Sequence, residues 1–417
     1  MSSIHLSKEQ KQVISVVTFG NALEGFEIYS YAYMAPILSQ MFFSFSSYIE
    51  NLIGFFILFG SGFIARPFGA VVFGRMGDLL GRKTAFVSSI VMMTLPTFLM
   101  GCLPTYAKLG IYAPVLLCLL RLLQAIPVSG EAPGTFCFLY EKATNENRRF
   151  MTSWGAYGNQ IGAIVAVIET LLMDQFLSKE FMMNWGWRIS FWTGGAIGLF
   201  GIYLRCKLHE TDLFKQLQDQ HKIDNEKVFE VAKRREVKIG IGFGVLNAAT
   251  FYLIATYIPT YFGEVLGLTE NGNAVVSLFV LGLTTILLPT FGSFAKNRSL
   301  KKIFISCTLL ITALTILLYY FIVTKNTFFI GATGILFVLP VTCMTALLPY
   351  ILVDLFPPEI RFTGVSLSFN LVDGIIGGFT PAIALLLVRY LDSQAGFCWF
   401  LLLCAGISLV SYRKIRD

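Results

Sequence analysis

The sequence predicts an all-α membrane protein with about twelve spanning helices, and three observations carry that reading. Of 417 residues, 55% are hydrophobic and 14% charged, with a mean hydropathy of +0.68; a soluble chain is about one quarter charged. Apolar runs of about 20 residues, enough to cross a hydrocarbon core about 30 Å thick, recur along the chain. They are continuous rather than alternating, and lipid admits only helices or closed barrels, so the spans are helices. Finally, Lys and Arg gather in every second loop.

The first span, residues 13–42, is too long for the apolar region of a signal peptide and lacks a small-residue cleavage site, so it is expected to be retained. Spans follow at 50–74, 84–103 and 111–141; in the last, Pro127, Gly130 and Pro133 flank Glu131 and predict a bent or locally opened helix. Spans 151–173 and 187–205 complete an N-terminal bundle, residues 1–205. The polar stretch 206–237 mixes both signs of charge and reads as a solvated linker, a surface helix or two joining the halves. The C-terminal bundle, 238–417, holds spans at 238–262, 273–293, 301–323, 327–355, 363–389 and 394–412. The basic loops contain Arg82 and Lys83, Arg148 and Arg149, the run from Arg205 to Lys238, Lys301 and Lys302, and Arg413 to Arg416. By the positive-inside rule that side, with both termini, is cytoplasmic, as an even number of spans requires.

The halves read as weak repeats. Glu141 and Arg148 stand seven residues apart, as do Asp354 and Arg361, and "GRMGDLLGRK" (74–83) corresponds to "GSFAKNRSLK" (292–301), with Lys296 in place of Asp78. Two bundles related by duplication are an architecture of alternating-access transporters.

Charge inside the spans is the functional signal, because each such group costs about 2.5–3.5 kcal/mol unless it faces protein or water. The candidates are Glu24 and Glu27, Arg66, Arg121, Glu131 and Asp373. At about 1.5 Å per residue, Glu24, Glu131, Asp373 and Arg66 fall near one plane at mid-bilayer, with Arg121 about 15 Å further out. The set reads as a proton and substrate site. Burial and a nearby cation pull a carboxylate's proton affinity in opposite senses, so arrival or loss of a solute can switch it. No histidine lies in a span, so the proton carrier is a carboxylate: Glu24, Glu27, Glu131 or Asp373, with Glu131 or Glu24 leading and Arg66 as charge partner. Arg121 offers a two-pronged anchor for a substrate carboxylate. Gln124, Tyr31, Asn159, Gln160, Asn247, Tyr252 and Asn370 are the remaining candidates for the chamber wall, aromatic faces suiting a quaternary ammonium. The competing reading is a set of buried ion pairs that only fix helix packing.

Other chemistry finds no support. Eight cysteines are scattered without a C-x-x-C pair, three histidines lie in loops or tails, and there is no metal-ligand spacing, Walker loop or G-x-S-x-G. Neither metal nor cofactor is expected. The net charge of +7 sits in loops beside the bilayer rather than in a nucleic-acid-binding patch.

"GRMGDLLGRK" resembles the signature between the second and third helices of the major facilitator superfamily. "GNALEGFEIYSYAYMAP", "GFIARPFGAVVFGRMGD", "RLLQAIPVSGEAPG", "WGWRISF", "HETDLF" and "RFTGVSLSFNL" with "GGFTPA" are similar to its metabolite:proton symporter branch, over nearly the whole chain. Gly25, where an aromatic residue is common, Glu27, where Asp is usual, and Asp373 depart from that pattern. The resemblance implies the major facilitator fold, twelve spans in two six-helix pseudo-symmetric bundles, in a bacterial inner membrane. It implies uptake of a small carboxylate-bearing solute with protons, by a protein working as a monomer. Zwitterions such as proline or betaine lead; di- and tricarboxylates, including chelators, come next. A proton-driven exporter is disfavoured because "SWGAYGNQIGAIVAVIETLL" has no proline; a membrane sensor that moves nothing is the third reading.

Asp78, Arg82, Glu141, Arg148, Asp354 and Arg361 lie at cytoplasmic helix ends where the bundles would meet. They read as a gate of exposed carboxylate–arginine pairs, each worth about 0.2–1 kcal/mol and so reversible. The degenerate second copy implies an asymmetric latch.

Overall fold

The computed structural model describes residues 6–220, 228–254 and 270–412. The chain forms long helices: α1 Lys8–Phe42, α2 Tyr48–Leu79, α3 Arg82–Cys102, α4 Tyr112–Glu141, α5 Tyr157–Phe176, α6 Trp187–Cys206, α7 Arg235–Tyr252, α8 Glu270–Phe294, α9 Leu300–Val323, α10 Thr327–Asp354 and α12 Phe397–Tyr412. Between the last two, α11 runs as Arg361–Val372 and Gly378–Tyr390, joined by a π-helical turn at Asp373–Gly377. Each of the twelve expected spans has a helical counterpart, the seventh only as far as residue 254, since 255–269 lie outside the described residues. Seven helices among the described residues are long and apolar enough to cross a membrane by length and composition.

Two helices begin earlier than hydropathy alone suggests, because their starts are set by capping. Ser7 and Gln10 form a reciprocal capping box at α1, and Ser47 and Glu50 another at α2. α3 is preceded by Gly81 as its N-cap, whose φ of +111° only glycine adopts without strain.

Within the N-terminal half α1 packs on α5 and α6, α2 on α4, and α3 on α4 and α6. The α1–α5 seam is backbone-close: a Cβ at Gly162 would stand 1.9 Å from the Ala22 carbonyl oxygen, and one at Gly158 2.0 Å from that of Thr18. Small residues allow this approach in lipid, where packing rather than water expulsion drives association. In the C-terminal half α7 packs on α11 and α12, α9 on α10 and α12, and α8 on α10. The halves meet along α2–α11 and α5–α8, two contacts related by the pseudo-symmetry, and where α11 crosses α4.

The stretch after α6 forms an expected short helix but is docked rather than solvated. Leu208, Thr211, Phe214 and Leu217 are buried, and the short helix Asp212–Asp219 lies against the turn Pro358–Ile360 of the other half. The mixed charge lies on its outer face, so composition alone hid its apolar stripe.

Candidate functional site

The charged residues of the spans separate into three clusters rather than one. The first centres on Arg66 of α2. Its guanidinium pairs with Asp373 at the π-helical turn of α11 and approaches Glu24 of α1 at 3.7 Å. Tyr252 of α7 donates to Asp373 at 2.9 Å, and Arg66 lies 4.7 Å above the Phe63 ring. One cation thus serves two carboxylates, one from each half. With both ionised the group carries a formal charge of −1, and one proton neutralises it. Glu24 Oε2 has no hydrogen-bond partner among the described residues. Asp373 owes its position to the π-helical turn, which widens α11 locally; such turns recur at functional sites.

Glu24 and Asp373 line a cavity of about 100 Å³ between the halves. Its wall comes from α1, α4, α5, α7, α10 and α11, and of the expected residues Asn159, Gln160, Asn247 and Tyr252 also face it. Asn21 lines it too, while donating to the Gly155 carbonyl at 2.9 Å. No Lys, Arg or His lines the cavity among the described residues. A second void of about 10 Å³ lies between Glu24, Glu27, Arg66 and Arg121, room for about one water. Glu24 is the only carboxylate common to both voids among the described residues.

The second cluster is a relay. Arg121 donates to Gln124 Oε1, Gln124 Nε2 donates to Thr97 Oγ1 at 2.7 Å, and the Thr97 hydroxyl donates to Glu27. All three bonds run from cation toward anion, so they polarise one another in one sense. The Arg121 guanidinium lies 4.4 Å above the Tyr31 ring, and the Tyr31 hydroxyl meets Met100 Sδ at 2.7 Å. Arg121, Gln124 and Tyr31 were expected to face the solute; none of them lines the central cavity, because this stacked relay holds them inside the N-terminal half.

The third cluster removes Glu131 from the chamber. Its two oxygens take a fork of bonds from Arg205 of α6, at 2.8 and 2.5 Å, and Ser89 donates to it at 2.6 Å. Arg205 also donates to the Phe86 carbonyl at 2.8 Å and stacks 3.6 Å above that ring. Glu131 is 1% exposed and Arg205 fully buried, so Arg66 is not the partner of Glu131. Sequence reasoning missed this arginine by counting it as the first charge of a cytoplasmic loop. The available signal was its place inside span 187–205, within reach of an acid that needed a cation.

Asn370, expected on the cavity wall, instead repairs a helix. Pro133 has no N–H, so the Ser129 carbonyl one turn earlier loses its intrahelical donor. Asn370 Nδ2 and Ser366 Oγ, both on α11, donate to that carbonyl at 2.8 and 3.2 Å. The broken turn of α4 is therefore completed by the opposite half.

At the face bearing the described chain ends, the halves are closed in layers. Nearest the cavity, Phe136 and Phe369 meet edge to face at 5.4 Å. Next, Tyr140 lies 5.7 Å from Tyr350 and donates to Asp354, while Arg148 stacks 4.3 Å above its ring. Outermost, Glu141 meets Arg361 at 3.1 Å and Arg82 at 3.5 Å, and Arg82 holds Asp78 at 2.7 Å and the Pro358 carbonyl at 2.6 Å. Asp78 caps α11, accepting from the N–H groups of Phe362 and Thr363 at 3.0 and 2.8 Å. The gate residues thus do gather, but in a different pairing: Glu141 takes Arg361 from the other half, and Asp354 reaches Arg148 only through Tyr140. Nor are the pairs exposed. Arg82 is 1% exposed and Asp78 is buried, so breaking one side costs more than a surface pair would.

The segment after α6 joins this cluster. Thr211 donates to Glu141 at 2.7 Å, and Phe214 lies beneath Arg82 at 5.4 Å. Glu210 accepts from the Lys83 N–H at 3.0 Å, covering the start of α3. Burial pushes the Glu210 carboxyl above its ordinary range, opposed by the N–H groups of Thr211 and Lys83.

Comparison with known proteins gives a consistent set. The family model described as Major Facilitator Superfamily matches residues 17–361. The proline/betaine transporter of Salmonella typhimurium is 28% identical, covering 98% of this chain and 83% of that one. A putative proline/betaine transporter of Staphylococcus aureus is 33% identical over 98% and 88% of the two chains. The citrate-proton symporter of Klebsiella pneumoniae is 31% identical over 91% and 86%. Among solved structures, the proton:xylose symporter XylE superposes with a TM-score of 0.85 at 12% identity, covering 98% of this chain and 95% of that one.

Proposed function

Because the chain belongs to the major facilitator superfamily, we propose that it is a proton-coupled symporter importing a small carboxylate-bearing solute by alternating access. It is a transporter rather than an enzyme. It works as a monomer in a bacterial inner membrane, both termini cytoplasmic, and the closed layers are its cytoplasmic gate.

The observation that carries the reading is Arg66 held between Glu24 and Asp373 at the edge of the central cavity. A proton on either acid leaves Arg66 balanced by the other. A solute carboxylate that engages Arg66 takes the place of one acid, which then favours its protonated form. Proton and solute therefore enter together and leave together. Because the two acids belong to different halves, the exchange also changes what holds the halves together. Glu131, locked to Arg205, is a packing pair in this account, and the relay from Arg121 to Glu27 positions α1 behind the site.

Relatives named for proline/betaine and for citrate leave two solute classes. The wall favours the zwitterion: two carboxylates and no cation line the cavity, with Tyr252 and Phe251 beside them. That wall suits a cationic head, while the solute carboxylate reaches Arg66 past Glu24, the acid shared by the cavity and the small void that Arg66 lines. A tricarboxylate would need several cations there. The test is uptake of labelled proline, betaine and citrate into liposomes under an inward proton gradient. Accumulation of a zwitterion, lost on adding a protonophore, is expected; accumulation of citrate alone would reverse the choice, and uptake unaffected by the protonophore would remove the coupling.

A further inference from the structure

The turn after α2 and the turn after α8 are copies of one another, yet the second, "GSFAKNRSLK", has Lys296 where the first has Asp78. In the first copy the turn supplies the side chain and the facing half supplies backbone: Asp78 takes the amides that open α11. Gly74 permits the approach, since a Cβ there would stand 2.9 Å from Thr363 Cα. The second copy keeps the glycine. A Cβ at Gly292 would stand 2.3 Å from Ser153 Oγ and 3.1 Å from the Arg149 carbonyl oxygen, both in the short helix Arg148–Ser153 that leads into α5. The charge has moved to that helix. Arg149 Nη1 donates to the carbonyls of Ala295 and Arg298, at 2.6 and 2.7 Å, with its guanidinium 5.2 Å from the Tyr350 ring. These carbonyls belong to the turn that follows α8, directly beyond its negative dipole end, and the Ala295 carbonyl also accepts from the Arg298 N–H at 3.1 Å.

We propose that Arg149 is the positioning residue of a second clasp between the halves. A guanidinium on the turn that closes α8 does there what a carboxylate on the amide end of α11 does at the first. Side chain and backbone have exchanged partners, and each pairing suits the polarity of the helix end it meets. The loss of the acid at Lys296 is thereby compensated rather than tolerated. The clasps sit at the two pseudo-symmetric seams, α2–α11 and α5–α8, so opening this face breaks both. The inference rests on the alternating-access reading, and its test needs no solute.

Hydrogen–deuterium exchange of the full chain in lipid nanodiscs is the measurement. Arg149→Ala is expected to speed exchange by at least about fivefold at residues 74–79 and 361–366, the seam that Arg149 does not touch, as Asp78→Asn does. Arg149→Lys, which keeps the charge but not the fork, is expected to give an intermediate rate. Gly292→Ala, which displaces the facing helix while leaving Arg149 in place, is expected to reproduce the Arg149→Ala pattern. Faster exchange confined to residues 291–298, or none, would overturn the proposal and leave Arg149 as a local helix cap. If Arg149→Ala fails to fold, the Lys and Gly292 variants decide by the same two patterns. A protein that transports nothing counts against the transport reading but leaves the exchange pattern interpretable.

Discussion

Arg66 touches acids from both halves, and Arg205 touches one acid within a single half; that difference assigns them different work. Removing one member of the Glu131–Arg205 pair leaves an uncompensated buried charge. Glu131→Gln is therefore expected to lower stability by about 3–5 kcal/mol, read as an earlier unfolding transition in detergent. The double replacement Glu131→Leu with Arg205→Met is expected to recover most of it, and the folded double variant to keep proton-driven uptake. Asp373→Asn should do the reverse, with little loss of stability but uptake that no longer follows the proton gradient. That buried charges need partners was legible in the sequence, since the six singled out in apolar spans ask for an explanation. Their grouping was not. Spacing along a helix gives depth, whereas partner choice depends on rotation and on neighbours far along the chain, so Arg205 and the Thr97 relay stayed hidden.

At the scale of the helix, α4 and α11 are each irregular, and one irregularity completes the other. Pro133 frees the Ser129 carbonyl, and Asn370 with Ser366 takes it up from across the interface. Asn370→Ala is expected to cost about 1–3 kcal/mol by leaving that carbonyl short of donors. In a Pro133→Ala background the helix regains its own N–H, so the same change should cost clearly less; additive effects in the double-mutant cycle would contradict this assignment. The bend in α4 was readable from its prolines. The π-helical turn at Asp373 was not, because no residue type demands it; the extra width accompanies the contact of Asp373 with Arg66 and Tyr252. The docked segment around Thr211 was likewise missed. Thr211→Val removes a donor to Glu141 and should loosen the gate, raising access of a water-soluble thiol reagent to a cysteine introduced at Ser368.

Across the whole molecule, the two halves are joined by contacts of unequal kind. Buried charge and capped helix ends close one face, a single arginine bridges the middle, and a cavity lies between. The repeat, the basic loops and the turn motif made the fold legible from sequence, because hydropathy and duplicated motifs are local signals. The contacts at Phe136–Phe369 and Tyr140–Tyr350 were not legible, because they depend on how the two halves sit against each other. In the proposed mechanism Arg66 couples the halves through one acid from each, so proton binding and the rocking motion would belong to one equilibrium. The most direct test measures proton and solute fluxes together in liposomes reconstituted with the parent protein, Glu24→Gln or Asp373→Asn. Proton entry locked to solute entry in the parent, and solute exchange without net proton movement in at least one variant, is the expected result; full coupling in both variants would contradict the account.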